Sequence, residues 1–407
     1  MKFKQLNPSF YILLICIVIV GCIQSGKANQ TEKKFQKEKG FTIEGQILAA
    51  EENYKLLVNS ARQANNIPRT LEDNAIKWIN NGFDWTEGFF PGSLWYMYEL
   101  TNNDKWKKEA IYFQELNFDD RFASSHDLGF VFQCSYGNSF RLTKAKQNKR
   151  ALIDASNALI DRFSEAVGCI KSWDVDSGWQ KQRDWQYPVI IDNMMNLELL
   201  FETSLLTGED KYKNIAISHA NMTLKNHFRE NNSSYHVVDY DSISGKIRSK
   251  QTAQGYAHNS SWARGQAWGL YGFTVSYRYT KNPEYLTQAK KIADYILSNP
   301  TISKENIPYW DYNAPNIPNE PKDVSAAAIV ASALIELSQY SDKKYLDKAK
   351  DIIETLSTDT YFVESGTNGN FLLKHSVGSI PHGAEIDVPL NYADYYYLES
   401  LVRLRKL

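Results

Sequence analysis

The chain has 407 residues, with 46 basic and 47 acidic side chains and a formal net charge of −1. That balance leaves no basic tract for nucleic acid. Of the four cysteines, only Cys134 and Cys169 lie beyond the first 22 residues, so one pair at most is available and a disulfide framework is excluded. No Cys-x-x-Cys, His-Glu-x-x-His, glycine-rich phosphate loop or Gly-x-Ser-x-Gly elbow occurs. Metal, nucleotide and serine-hydrolase chemistry are therefore not expected, and no cofactor is implied.

At the N-terminus, Lys2 and Lys4 precede an apolar run from Tyr11 to Val20, which ends at Gly21-Cys22. A basic start and a short apolar stretch make residues 1–21 a secretory signal. At about ten residues the run is too short for a spanning helix, which needs roughly 20. A cysteine directly after a small residue resembles the bacterial lipobox, which makes Cys22 the expected lipidation site. A lipid anchor is then the only expected membrane contact. The expected location is the bacterial envelope, on the periplasmic side of the outer membrane or at the cell surface. The alternative is an ordinary signal peptide with a chance cysteine. Residues 22–40 read as a solvated tether, and residues 41–407 as one folded domain. An aromatic content of 13 % suits a carbohydrate site and equally a large helical core, so it decides nothing alone.

From residue 48 onward a degenerate repeat sets the architecture. An outer helix is expected over Leu48 to Asn65. Apolar helices then start near Pro91, Asp127, Asp192, Gly265, Ser325 and Pro389. Five of them end in a Thr or Ser turn, at Thr101, Thr143, Thr207, Thr280 and Ser341. A polar link follows, then an aromatic residue (Trp106, Tyr212, Tyr285, Tyr345) and a lysine-rich amphipathic helix that carries Ala110, Ala216, Ala289 or Ala349. The copy from Thr143 to Ala151 lacks the aromatic. Buried helices thus alternate with half-exposed ones. Six of each make an all-α (α/α)6 toroid; an open helical solenoid is the competing architecture.

Counting back 15 or 16 residues from the turns reaches Trp85, Asp127, Asp192, Arg264 and Ser325. These positions share one end of the inner helices, where free N–H groups and the helix dipole favour an anionic ligand. Asp192 and Asp127 each lie near an apolar helix start, where an aspartate is either an N-cap or a working group. Neighbouring inner helices stand roughly 8–10 Å apart, so both carboxylates can face one sugar. Burial and a like-charged neighbour raise a carboxyl pKa, while the helix dipole lowers it. Arg264 and Trp268 are spaced i, i+4 on one helical face. The arginine offers a forked grip on a carboxylate, and the indole a face for a sugar ring. The alternative is a structural arginine over an aromatic core.

Four segments carry a family resemblance: His126-Asp127-Leu128-Gly129-Phe130, Ile191-Asp192-Asn193-Met194-Met195-Asn196-Leu197, Ser261-Trp262-Ala263-Arg264-Gly265-Gln266-Ala267-Trp268-Gly269 and Asp323-Val324-Ser325-Ala326-Ala327-Ala328. In order and spacing they resemble glycoside hydrolase family 88, the unsaturated glucuronyl hydrolases, from about Trp85 to Asp394. The sister family 105, the unsaturated rhamnogalacturonyl hydrolases, shares the fold and an equivalent acid but departs at the arginine motif. The resemblance implies release of a 4,5-unsaturated glucuronic acid from lyase-generated acidic oligosaccharides. Asp192 would protonate C4 and then activate the water that adds at C5, with Asp127 in support. It further implies substrate contacts at Trp85, His126, His236, Gln254, Arg264 and Trp268, and at Ser376 and Ser379 in a loop over the leaving sugar. The parent polymer (ulvan, a glycosaminoglycan, gellan or another acidic glycan) stays open. A non-catalytic glycan-binding lipoprotein is the reading from another class; it has no need of paired acids at the mouth.

Overall fold

A computed structural model of the chain describes residues 41–80 and 82–407. The expected signal, the tether and Cys22 lie outside the described residues. Outer and inner helices alternate from the start: α1 (Ile43–Ala64) is outer, α2 (Phe89–Thr101) inner and α3 (Asp104–Glu115) outer. A π-helix (Gly129–Gly137) that runs on into α4 (Asn138–Thr143) forms the second inner element, and α5 (Lys146–Ile160) the next outer one. Then come α6 (Leu197–Thr207), inner, and α7 (Asp210–Asn226), outer. They are followed by α8 (Ala263–Thr280), inner, and α9 (Pro283–Leu297), outer. Last are α10 (Val324–Leu337), inner, α11 (Lys344–Leu356), outer, and α12 (Asn391–Arg405), inner.

The inner class is buried on all sides: α10 is buried along its whole length, and α8 from Ala263 to Ser276. By contrast, α9 buries only Tyr285, Gln288, Ala289, Ile292, Ala293 and Ile296, one helical stripe. The ring closes because α12 packs on both α10 and α2, and Tyr96 of α2 meets Tyr395 of α12 at 5.0 Å between ring centroids. The fold is the (α/α)6 toroid, not an open solenoid. Cys134 and Cys169 are both free and buried.

Each repeat residue has a local task. The hydroxyls of Thr101, Thr143, Thr207 and Thr280 donate to the carbonyls of Met97, Ser139, Thr203 and Ser276, at 2.7–2.8 Å. The same oxygens accept the amides of Asn103, Ala145, Glu209 and Asn282. One side chain therefore satisfies an orphan carbonyl and opens the link. The aromatic after the link, Trp106, Tyr212, Tyr285 or Tyr345, is then fully buried in the first turn of the outer helix.

Among the described residues nine short strands, which the helical periodicity does not foretell, lie in the connections. They are β1 (Pro68–Glu72) with β2 (Ala75–Trp78), β3 (Phe163–Ser164) with β4 (Cys169–Ile170), a sheet of β5 (Tyr187–Ile190), β6 (Val237–Tyr240) and β7 (Ile247–Gln251), and a hairpin of β8 (Ser376–Ser379) and β9 (Ala384–Val388). All pair antiparallel. These connections enter the inner helices at their N-terminal ends, so they build the mouth where the acids gather.

Candidate active site

Asp192 does not cap a helix. It sits inside a 3-10 turn, Ile191–Asn196, that precedes α6, and no side chain caps either element. The turn is held by its neighbours instead. Asn193 donates to the Ile170 carbonyl and accepts the Ser172 hydroxyl. The Ile191 amide donates to the carbonyl of His236 at 3.0 Å, which joins the turn to the end of β6. Asn196 accepts the amide of Phe130 at 3.0 Å. Gly129 permits this last approach, since a Cβ there would stand 2.4 Å from Asn196 Cα. The same close approach sets Asp127 beside Asp192, near enough for the charge of Asp192 to raise the Asp127 pKa.

Both carboxyls are pushed up. Burial lifts Asp192 to about 7, against the opposing charge of Arg264 and polar contacts with its own backbone and Trp268. Burial first and the charge of Asp192 second raise Asp127 well above the carboxylate range. Desolvation therefore outweighs the helix-end field. The two histidines stay neutral, with burial as the main cause: His126 falls to about 3 and His236 well below its ordinary value.

Their hydrogen bonds fix their roles. His236 Nδ1 accepts the amides of Ala253 and Gln254, at 3.1 and 3.2 Å. Its single proton therefore sits on Nε2, which points at Asp192 Oδ2 from 3.6 Å. Both of those atoms are buried and otherwise without a hydrogen-bond partner. His126 bonds the Ser172 backbone and places Nε2 3.1 Å from Asp127 Oδ1. With the ring's one N–H used on that backbone, the Nε2 lone pair faces Asp127, as suits a protonated carboxyl.

A cavity of about 370 Å³ opens beside Asp127, lined among others by Arg69, Asp84, Trp85, His126, Arg162 and Trp173. Trp85 is half-buried and rests against Phe130 and Tyr392, with ring centroids 5.3 and 5.0 Å away. A larger cavity, about 540 Å³, runs along the bore from Gly129 and Phe130 to Tyr340 and Lys406 near the C-terminal ends of the inner helices. The ion pairs of Arg278 with Glu198 and Glu336 and of Arg403 with Glu399 line it.

Two expectations are corrected. Trp268 offers no face to a sugar: it is 0 % exposed, covered by Phe130 at 5.0 Å and Tyr396 at 5.6 Å, and serves beneath Asp192. Arg264 is on the expected helical face, but three of its N–H groups are already taken, while Nε is buried without a partner. Nη1 donates to Asp323 Oδ2 at 3.1 Å and to the Val377 carbonyl, and Nη2 donates to the Gly378 carbonyl at 2.6 Å. It clamps β8 rather than presenting a free guanidinium. The carboxylate that caps α10 is Asp323, which accepts the Ser325 and Ala326 amides. Gln254 reaches the same Gly378 carbonyl at 3.3 Å. Ser376 is buried with its hydroxyl unpartnered, and Ser379 shares a 2.7 Å hydrogen bond with His382 Nδ1.

Sequence reasoning missed several residues of the mouth. Trp173 stands edge-on to both His126 and His236. Arg69 bridges Asp84 at 2.7 Å and Glu385 at 2.5 Å, which ties β1 to β9. Both lie in the connections between helices, where there is no helical periodicity to read. The tryptophan cluster around Trp173 and Trp185 was the one available signal.

A toroid with two carboxyls poised to hold or lose a proton, between indoles and neutral imidazoles, belongs to the class of carbohydrate-active enzymes. Residues 59–405 match Glycosyl Hydrolase Family 88, and the chain belongs to that family. It is similar to an unsaturated glucuronyl hydrolase of Formosa agariphila, 41 % identical over 97 % of this chain and 98 % of that one. An unsaturated chondroitin disaccharide hydrolase of Streptococcus agalactiae is 31 % identical over 86 % of this chain and 89 % of its own length. Among solved structures, an unsaturated glucuronyl hydrolase specific for heparin superposes with a TM-score of 0.82 at 42 % identity, covering 88 % of this chain and 98 % of that one. The unsaturated glucuronyl hydrolase of Bacillus sp. GL1 gives 0.81 at 28 % identity, over 88 % and 97 %. These matches support the family 88 assignment and lend none to the family 105 alternative.

Proposed function

We propose that the chain removes 4,5-unsaturated glucuronic acid from the non-reducing end of acidic oligosaccharides made by a polysaccharide lyase, through hydration of the C4=C5 double bond. The observation that carries this is the buried pair Asp192 and Asp127 in a family 88 chain, with Asp192 near half-protonation at neutral pH. Protonated Asp192 donates to C4. Its carboxylate then takes a proton from the water whose oxygen bonds C5. The hemiketal so formed opens, and the oligosaccharide leaves from C1 with its glycosidic oxygen. Asp127 supports Asp192 electrostatically, and neutral His236 keeps an N–H toward it. Trp85, His126, Gln254, Ser376 and Ser379 are the proposed contacts with the substrate. Arg264 acts on the substrate through β8. Run in heavy water, the reaction is expected to leave deuterium at C4 of the released acid. A product without solvent hydrogen there would overturn hydration and favour hydrolysis at the anomeric carbon.

We further propose that Cys22 carries a lipid and holds the enzyme at the bacterial envelope; the Gly21-Cys22 junction after the apolar run supports this. Cys22→Ser is expected to move the protein from the membrane to the soluble fraction. A mutant that still sediments with membranes would refute the anchor.

A further inference from the structure

One guanidinium at the mouth has no part in the chemistry above. Arg183 ends the 3-10 turn Trp179–Arg183, in the connection that leads into β5. Its Cζ lies 5.7 Å from the ring centroids of both Trp179 and Trp185. Every other arginine among the described residues has a hydrogen bond or an ion pair, and Arg183 has neither. The acid beside it in sequence, Asp184, turns to Arg248 at 3.3 Å instead. A half-buried cation held between two indoles without a counter-ion is an arrangement that favours an incoming anion.

Its neighbours lead back to the reacting groups. Trp185 stacks on Trp173 at 5.5 Å, and Trp173 stands 5.8 Å from the ring of His236, which faces Asp192. On the other side Trp179 lies 5.0 Å from the ring of His382, which holds the Ser379 hydroxyl. Arg183 thus stands at the outer end of an indole wall that begins at the acids, opposite the β8–β9 hairpin. With the uronic acid over Asp192, as in the proposed function, this wall offers the next sugar a way outward past Trp173, which lines the cavity beside Asp127.

We propose that Arg183 is a specificity-determining residue whose guanidinium grips a sulfate ester on the sugar that leaves. The fork supplies two parallel N–H donors that match a pair of sulfate oxygens. The flanking indoles hold it in place, and Ser379 with neutral His382 completes the rim with uncharged polar groups. This rests on the reading that an unsaturated uronyl saccharide occupies the mouth.

The test compares the parent enzyme, Arg183→Gln and Arg183→Lys on two unsaturated disaccharides that differ only in a sulfate ester on the reducing sugar. The ratio of kcat/KM, sulfated over unsulfated, is expected to fall about tenfold in Arg183→Gln, chiefly through KM, the scale of one lost charge-assisted hydrogen bond. Arg183→Lys should retain part of the preference. Inorganic sulfate should perturb the tryptophan fluorescence of the parent in a saturable way that Arg183→Gln abolishes. The same ratio in parent and Arg183→Gln, or a sulfate titration unchanged by the mutation, would overturn the proposal. If the parent cleaves neither disaccharide, the proposed function fails, while the sulfate titration still decides the role of Arg183.

Discussion

At neutral pH Asp192 is divided between acid and carboxylate, because burial lifts its pKa to about 7 while Arg264 and polar contacts with its own backbone and Trp268 restrain it. A group that donates to carbon and then accepts from water needs both forms within reach, and a pKa near the working pH provides them. Two consequences are measurable. Turnover, read as loss of the ultraviolet absorbance of the conjugated double bond, is expected to decline as pH rises through about 7, since the proton donor is lost. Asp192→Asn should reduce kcat by on the order of 10²–10⁴ or more, the usual scale for general acid–base catalysis. Stability should follow the same direction with pH. A pKa raised from 3.8 to about 7 means that the folded state binds the proton more tightly. The resulting stability is fully present below the unfolded pKa and is lost as pH rises through the folded value. Asp192 caps no helix, so Asp192→Asn is expected to melt no lower than the parent at pH 8. Near-parental turnover by that folded variant would remove Asp192 from the mechanism.

At the scale of elements, the β8–β9 hairpin is held from both sides, by Arg264 on β8 and by Arg69 through Glu385 on β9. Asp323 links this clamp to the framework: Oδ1 caps α10 while Oδ2 pairs with Arg264. Arg264→Lys keeps the charge and loses the fork, so the carbonyls of Val377 and Gly378 cannot both be held. Stability should fall by roughly 1–3 kcal/mol, the scale of a lost buried hydrogen bond. KM should rise, and the amides of β8 should exchange hydrogen faster. Unaltered exchange in β8 would refute the clamp. This element also marks where the sequence stops being legible. The threonine turns and their aromatic inserts could be read because each acts within a few residues of itself. So could the i, i+4 pairing of Arg264 and Trp268, which do share a face. What covers that face comes from far along the chain: Val377 lies 113 residues from Arg264. Nor does local pattern reveal that the turn around Asp192 is 3-10 or that the helix after Asp127 opens as a π-helix. The two elements meet where Gly129 approaches Asn196, 67 residues further along the chain.

At the scale of the molecule, the toroid separates stability from chemistry by placing them at different depths of the barrel. The acids occupy the end where the inner helices begin, and midway along α2, α8, α10 and α12 lies a buried polar hub around Glu399 of α12. Its carboxylate accepts the hydroxyls of Tyr96 from α2, Tyr271 from α8 and Ser332 from α10, at 2.7, 3.0 and 2.5 Å. It also pairs with Arg403 at 3.3 Å. Partners from three other inner helices thus converge on one side chain, which ties the last inner helix to the first. Truncation would remove the acceptor of three buried hydroxyls and one counter-ion of Arg403, although Tyr96 keeps Tyr395 at 3.1 Å, Tyr271 still accepts from Arg403 at 2.9 Å and Glu336 holds Arg403 at 3.0 Å. Removing one partner of such a buried network costs roughly 3–5 kcal/mol. Glu399→Ala is therefore expected to lower the melting temperature markedly. Below the new transition the folded fraction should keep the parental KM, because none of these groups lines the cavity beside Asp127. Thermal melts paired with kinetics at a low temperature check this. A variant of parental stability would deny Glu399 its closing role. One with intact stability but altered KM would mean that the hub and the mouth are coupled.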